Sequence, residues 1–170
     1  MIQGLNRFNE LPSEEAEAQL LKCCGSRSWA RQMTRWRPFE TIDGLLKKAD
    51  DVWWSLNAED WLEAFCVHPR IGEKKAVATQ SAEAQKWSTQ EQSGIEGAPA
   101  ETTSALAAGN REYERRFGFI YIVCATGKTS EEMLAILRER LQNDPETELR
   151  VAAEEQRKIT RLRLERLLTG

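Results

Sequence analysis

The stretch that most limits what this chain can fold into is its C-terminal run, "NDPETELRVAAEEQRKITRLRLERLL". Asp144 stands at an N-cap position and Pro145 at the first helical position, where a missing N–H leaves nothing unsatisfied. One long helix is therefore expected from there to about Leu168, central to the fold. At helical spacing Leu149, Ala152, Ala153, Gln156, Thr160, Arg163, Leu164 and Leu167 share one face. Arg163 sits inside that stripe, whereas Arg157, Lys158 and Arg161 point away and read as solvated charge. A guanidinium facing a core must find an anion, because an unpaired buried charge is costly. That anion is either an internal Asp or Glu or the carboxylate of a bound molecule.

Helical signals continue upstream. "PSEEAEAQLLKCCG" has Ser13 as an expected N-cap, acids in the first turn and Gly25 as a stop, and "NAEDWLEAFC" opens on Asn57 with Trp61, Leu62 and Phe65 along one face. "TSEEMLAILRERL" places Thr129 and Glu132 in capping-box register and repeats Met133, Ile136, Leu137 and Leu141 at helical spacing. Only "FGFIYIVCA" looks like a strand. A lone strand has no partner for its edges, so a buried extended segment or the start of a helix fits it as well. "GIEGAPA", from Gly94, marks a loop between two halves, neither rich enough in large apolar residues to stand alone. The 170 residues are therefore expected to form one domain, 1–170. Six tryptophans, five of them before residue 62, suggest that the N-terminal helices pack into a larger core.

Composition narrows the class. With 24 Lys and Arg against 27 Asp and Glu, the net charge of -3 offers no basic field for nucleic acid or an anionic membrane. Cys23, Cys24, Cys66 and Cys124 lack C-x-x-C spacing, which points to a reducing compartment and away from zinc. The N-terminus lacks the basic start and apolar core of a signal peptide. The longest apolar run, "FIYIVCA", falls far short of the roughly 20 residues a membrane helix needs. A cytoplasmic location follows as an expectation. A single histidine also weakens every metal hypothesis.

That histidine, His68, stands before a proline in "AFCVHPRIGE". Proline disfavours the α conformation in the preceding residue, so the helix through Phe65 should end at or before His68 and present it from a loop. The negative helix end would favour its protonated form, which suits a proton-transfer group. The same placement also allows a plain cap on the last carbonyls. In "WSTQEQSG", Ser88 and Glu91 have the spacing of a capping box, yet "QSGIEGAP" follows, so a helix begun at Ser88 should end almost at once. Such a turn would offer the Ser88 hydroxyl, the Glu91 carboxylate and the Gln92 amide to one small ligand. A nucleophilic Cys66 or Cys124 working with His68 is the weaker chemical reading. A helical interaction module, with tryptophans facing a partner protein, is the alternative outside catalysis.

Taken together, "HPRIGEKK", "WSTQEQSGI", "YERRFGFIYIVCATGKTSEEML" and "KITRLRLERLL", preceded by "RFNELP", "CCGSRSW" and "RPF", resemble 2-oxo-4-hydroxy-4-carboxy-5-ureidoimidazoline (OHCU) decarboxylase along nearly the whole chain. Val67 and Tyr121 are mild departures from the family's usual alanine and phenylalanine. The resemblance implies an all-α, single-domain multi-helix bundle, a homodimer, no cofactor and no metal. It also implies the last step of urate oxidation, OHCU to (S)-allantoin. The family's catalytic histidine falls on His68, its essential glutamate on Glu91 and its substrate-binding arginine on Arg163. Pro69, Ser88 and Gln92 complete the polar contacts, and backbone groups of Tyr121, Ile122, Val123, Cys124 and Ala125 match the segment that lines the pocket.

Overall fold

The structure, a computed structural model, describes residues 2–73 and 80–170. Lys74 and Lys75, the tail of the "HPRIGEKK" motif, lie outside the described residues. Among those described, the regular structure is entirely helical, with nine α-helices, one 3₁₀ turn and no strand. The chain divides into two compact units, residues 1–64 with 157–170, and residues 65–156.

The first unit holds α1 (Ile2–Glu10), α2 (Ser13–Cys23), α3 (Arg27–Arg35), α4 (Ile42–Ser55), most of α5 (Ala58–Phe65) and the C-terminal part of α9 (Pro145–Thr169). Its N-terminal motifs are structural. In "RFNELP" and "RPF", the Asn9 amide donates to the Phe39 carbonyl at 2.9 Å and accepts from the Phe39 N–H at 3.0 Å. The Arg37 guanidinium donates to the carbonyls of Phe8 and Leu11 at 3.0 and 2.7 Å, covering acceptors that the end of α1 leaves open. Ser26 of "CCGSRSW" is the N-cap of α3, its hydroxyl accepting from the Trp29 N–H at 3.2 Å. Trp29 is fully buried and its indole N–H donates to the Ala49 carbonyl at 3.1 Å, while that of Trp61 donates to Trp53 at 3.0 Å. Gly4 permits a close approach, since a Cβ there would lie 1.8 Å from the Leu168 carbonyl oxygen.

The second unit holds α6 (Ala82–Glu91), the 3₁₀ turn Ser93–Ile95, α7 (Ala100–Phe117), α8 (Ser130–Arg140) and the start of α9. Its core gathers Leu106, Tyr113, Tyr121, Val123, Met133 and Leu137. "FGFIYIVCA" settles as a buried extended segment after Gly118, whose φ of +80° closes α7 in the left-handed conformation. With no strand beside it, the segment uses side chains for its backbone bonds. The Ile122 carbonyl accepts from Arg140 at 2.5 Å and the Cys124 N–H donates to the Glu155 carboxylate at 2.7 Å, while the Tyr121 hydroxyl anchors the segment to the Met133 carbonyl of α8 at 2.9 Å.

Several sequence expectations hold. The Thr129–Glu132 capping box is formed on both sides, Asn57 accepts from the Asp60 N–H at 2.9 Å, and Asp144 accepts from Thr147 at 2.9 Å just ahead of Pro145. Others are corrected. Ser13 is the first helical residue of α2, because Pro12, with its ring-fixed φ of -51°, already occupies the capping position. The same helix ends at Cys23, and Cys24 turns extended before Gly25 is reached. Ser88 and Glu91 start no helix. They lie in the last turn of α6, which begins six residues earlier under a Ser81 cap that accepts from the Ala84 N–H at 3.2 Å. On α9 six of the eight stripe residues, Ala152, Ala153, Gln156, Thr160, Arg163 and Leu164, are buried as expected, and the differences lie at the ends and at Ile159. Glu148, Ile159 and Leu168 are buried, while Leu149 and Leu167 are only half-buried.

Candidate active site

His68 follows α5 at a tight turn, its N–H donating to the Phe65 carbonyl at 3.2 Å. The proline behind it keeps the helix from continuing. Its ring does more than cap. His68 is buried, and Nε2 lies 2.6 Å from Oε1 of Gln156, a fully buried residue of α9. The two side chains are in direct hydrogen-bond contact, with the donor and acceptor roles set by the ring tautomer.

The loop carrying His68 is pinned on several sides. Arg70 pairs with Glu114 of α7 at 3.0 Å, and Asn110 of the same helix donates to the Ile71 carbonyl at 2.9 Å. At Gly72, where φ is +85°, the N–H donates to the Gln92 side chain at 3.1 Å. Gln92 therefore joins the end of α6 to the histidine loop.

Pro69, Ser88 and Gln92 line one cleft of about 550 Å³ with Gln80, Thr89 and Ile95, a volume in the range of small-molecule sites. Ser88 is buried and accepts from the Gln80 amide at 2.8 Å. Glu91, one helical turn after Ser88, is also buried. Most of the polar groups on the cleft wall are amides and hydroxyls, which suits a ligand rich in N–H and C=O groups.

The extended segment 121–125 is buried throughout. The Cys124 N–H donates to Glu155 at 2.7 Å and its carbonyl accepts from Lys128 at 2.7 Å. Adjacent residues of α9 thus fasten two different parts of the second unit, Glu155 the extended segment and Gln156 the histidine. Below them lies a buried ion pair in which the Arg140 Nε donates to Glu148 at 2.6 Å, and Tyr113 donates to the same carboxylate at 2.5 Å. Burial works against the Arg140 charge, but the Tyr113 and Glu148 oxygens outweigh it and keep the guanidinium protonated.

Arg163 belongs to the first unit, where it is buried and donates to the Lys22 carbonyl at 3.2 Å. Burial pushes the thiol of neighbouring Cys24 up to about 12. It likewise raises that of Cys124, opposite to what a thiolate nucleophile requires.

The OHCU decarboxylase family model matches residues 9–165. The chain belongs to the OHCU decarboxylase family. It is 38% identical over 157 residues to the uric acid degradation bifunctional protein TTL of Arabidopsis thaliana, a match covering 92% of this chain and 48% of that protein. It is 26% identical over 164 residues to the 2-oxo-4-hydroxy-4-carboxy-5-ureidoimidazoline decarboxylase of Haloferax volcanii, covering 96% of this chain and 93% of that one. A crystal structure of OHCU decarboxylase in the presence of (S)-allantoin superposes with a TM-score of 0.76 at 39% identity, over 88% of this chain and 96% of that chain. Two bifunctional relatives from Bacillus are longer still, and the chain spans about a third of each.

Residue type and spacing singled out His68, Ser88, Glu91 and Gln92, but gave Gln156 no role beyond a place on a stripe. A glutamine amid Ala152, Ala153 and Thr160 was the available signal, since a buried amide must find a partner.

Proposed function

We propose that this chain catalyses the cofactor-independent decarboxylation of 2-oxo-4-hydroxy-4-carboxy-5-ureidoimidazoline to (S)-allantoin, the last step of urate oxidation. It would act as one catalytic domain, as a homodimer and in the cytoplasm. The observation that carries this reading is the burial of the only histidine, oriented by Gln156 and followed directly by a proline that lines the cleft with Ser88 and Gln92.

The chemistry asks little of a protein. The substrate holds an imine carbon beside the carbon that loses CO2, so the pair released from the breaking C–C bond moves into the ring and no external electron sink is needed. The imine pair moves onto the ring nitrogen, which takes up a proton, and the hydroxyl-bearing carbon becomes a carbonyl as its proton leaves. A proton added to the neighbouring carbon turns the released pair into a C–H bond. His68 and Glu91 carry these transfers as general acid and base. Arg163 orients the carboxylate, and Ser88, Gln92 and backbone groups of 121–125 hold the ureido and ring amides. A proton delivered from one face makes one enantiomer.

The interaction-module alternative loses its main support. Trp29, Trp53, Trp61 and Trp87 are buried, and among the described residues the large exposed apolar side chains are Trp36 and Trp54. The test is His68→Asn, measured by circular dichroism of the allantoin formed from fresh substrate. Catalysis is expected to fall at least about a hundredfold, the usual contribution of a positioned acid or base. Full activity in that variant would remove His68 from the mechanism. Light scattering, expected to give twice the chain mass of 19.4 kDa, checks the dimer.

A further inference from the structure

We propose that Gln156 is the positioning residue for His68, fixing the ring as the Nε2–H tautomer so that Nδ1 exchanges the proton with substrate. This rests on the catalytic role assigned to His68 above.

Three observations carry it. Gln156 is fully buried, its Oε1 lies 2.6 Å from His68 Nε2, and the two are 88 residues apart in sequence. A contact that short between buried groups has a strict donor and acceptor requirement. The backbone around each partner is also fixed independently. The histidine loop is held by Glu114, Asn110 and Gln92, and the helix turn bearing Gln156 is held by the Glu155 bond to Cys124. Both partners thus sit on backbone that is anchored by other contacts.

The choice of glutamine is informative. Carboxylates commonly orient catalytic histidines, and they also stabilise the imidazolium. An amide oxygen orients the ring without placing a full negative charge at Nε2. A histidine that must both accept and return a proton within one turnover benefits from orientation without that bias.

His68 is the only histidine, so the imidazole nitrogen resonances of protein labelled with ¹⁵N-histidine need no assignment. The neutral ring is expected as the Nε2–H tautomer in the wild type. Gln156→Leu should yield a mixture of tautomers and lower kcat about tenfold, the weight of one ordinary hydrogen bond, with little change in KM. Gln156→Glu retains the acceptor and is expected to preserve the tautomer while raising the imidazole titration midpoint and shifting the kcat–pH profile the same way. A wild-type ring protonated on Nδ1 overturns the proposal, as does a Gln156→Glu protein whose midpoint and profile do not move. Should Gln156→Leu fail to fold, Gln156→Glu decides alone. The resonances are read without substrate. The expected tautomer in a protein that produces only racemic allantoin would leave the positioning intact and refute the decarboxylase.

Discussion

Among the described residues, the first unit buries Ser26, Thr160 and Arg163 as its polar side chains, and the second buries His68, Ser88, Glu91, Asn110, Ser130, Arg140, Glu148 and Gln156. The first is built mainly from amphipathic helices anchored by tryptophan, and its polar motifs cap helices or tie loops. Among the described residues, the irregular stretches of the second include the turn from His68 to Glu73 and segment 119–129, whose backbone groups have no helix to satisfy them. Turns pair some of them, and side chains pair the Ile71, Ile122 and Cys124 carbonyls and the Gly72 and Cys124 N–H groups, with each buried side chain needing a partner in turn. Polar burial therefore concentrates where irregular backbone presents candidate catalytic groups, while stability elsewhere rests on packing.

The largest effect expected from breaking this contrast is at Glu148. Glu148→Leu leaves Arg140 buried without its carboxylate, which should cost about 3–5 kcal/mol in thermal or urea unfolding. The double variant Arg140→Leu with Glu148→Leu should recover part of that loss, because no lone charge remains. A single variant as stable as the wild type would contradict the account of the second unit.

A matched pair of glycines sharpens the comparison. A Cβ at Gly94 would meet the Lys128 carbonyl oxygen at 2.0 Å, much as one at Gly4 would meet that of Leu168. Both Gly→Ala changes should destabilise by about 1–3 kcal/mol through forced backbone shifts. Only Gly94→Ala should also lower kcat, since Ile95 lines the cleft and Lys128 holds the Cys124 carbonyl. Equal kcat in the two variants would erase the distinction between the units.

The smallest effect concerns acid. The Thr147 hydroxyl and N–H hold the Asp144 carboxyl below its ordinary value. A carboxyl depressed in the folded state contributes stability above its unfolded pKa and loses it as pH falls through the folded one. Melting temperatures followed downward from pH 5 should therefore drop less steeply in Asp144→Ala than in the wild type, and parallel curves would count against the cap.

How much of this was legible in the sequence depends on range. The caps at Asn57, Thr129 and Asp144 depend on neighbours three residues away, so their spacing revealed them. Ser88 and Glu91 show how the same logic misleads. Their spacing matches a capping box, but Ser81 already caps the helix, and the pair falls in its last turn where both side chains are buried. On α9 periodicity finds six of the eight stripe residues and misses Glu148, which looks polar until Arg140 and Tyr113 are seen around it. The role of Gln156 was hidden for the same reason, its partner lying 88 residues away. Long-range pairing of polar groups is what periodicity does not encode.

The central claim is stereospecific decarboxylation, and circular dichroism of the product from freshly generated OHCU tests it most directly. With the wild-type chain the signal of (S)-allantoin should appear faster than the uncatalysed loss of substrate, and with His68→Asn it should nearly vanish. Racemic allantoin formed at the uncatalysed rate in the presence of wild-type protein would contradict the account.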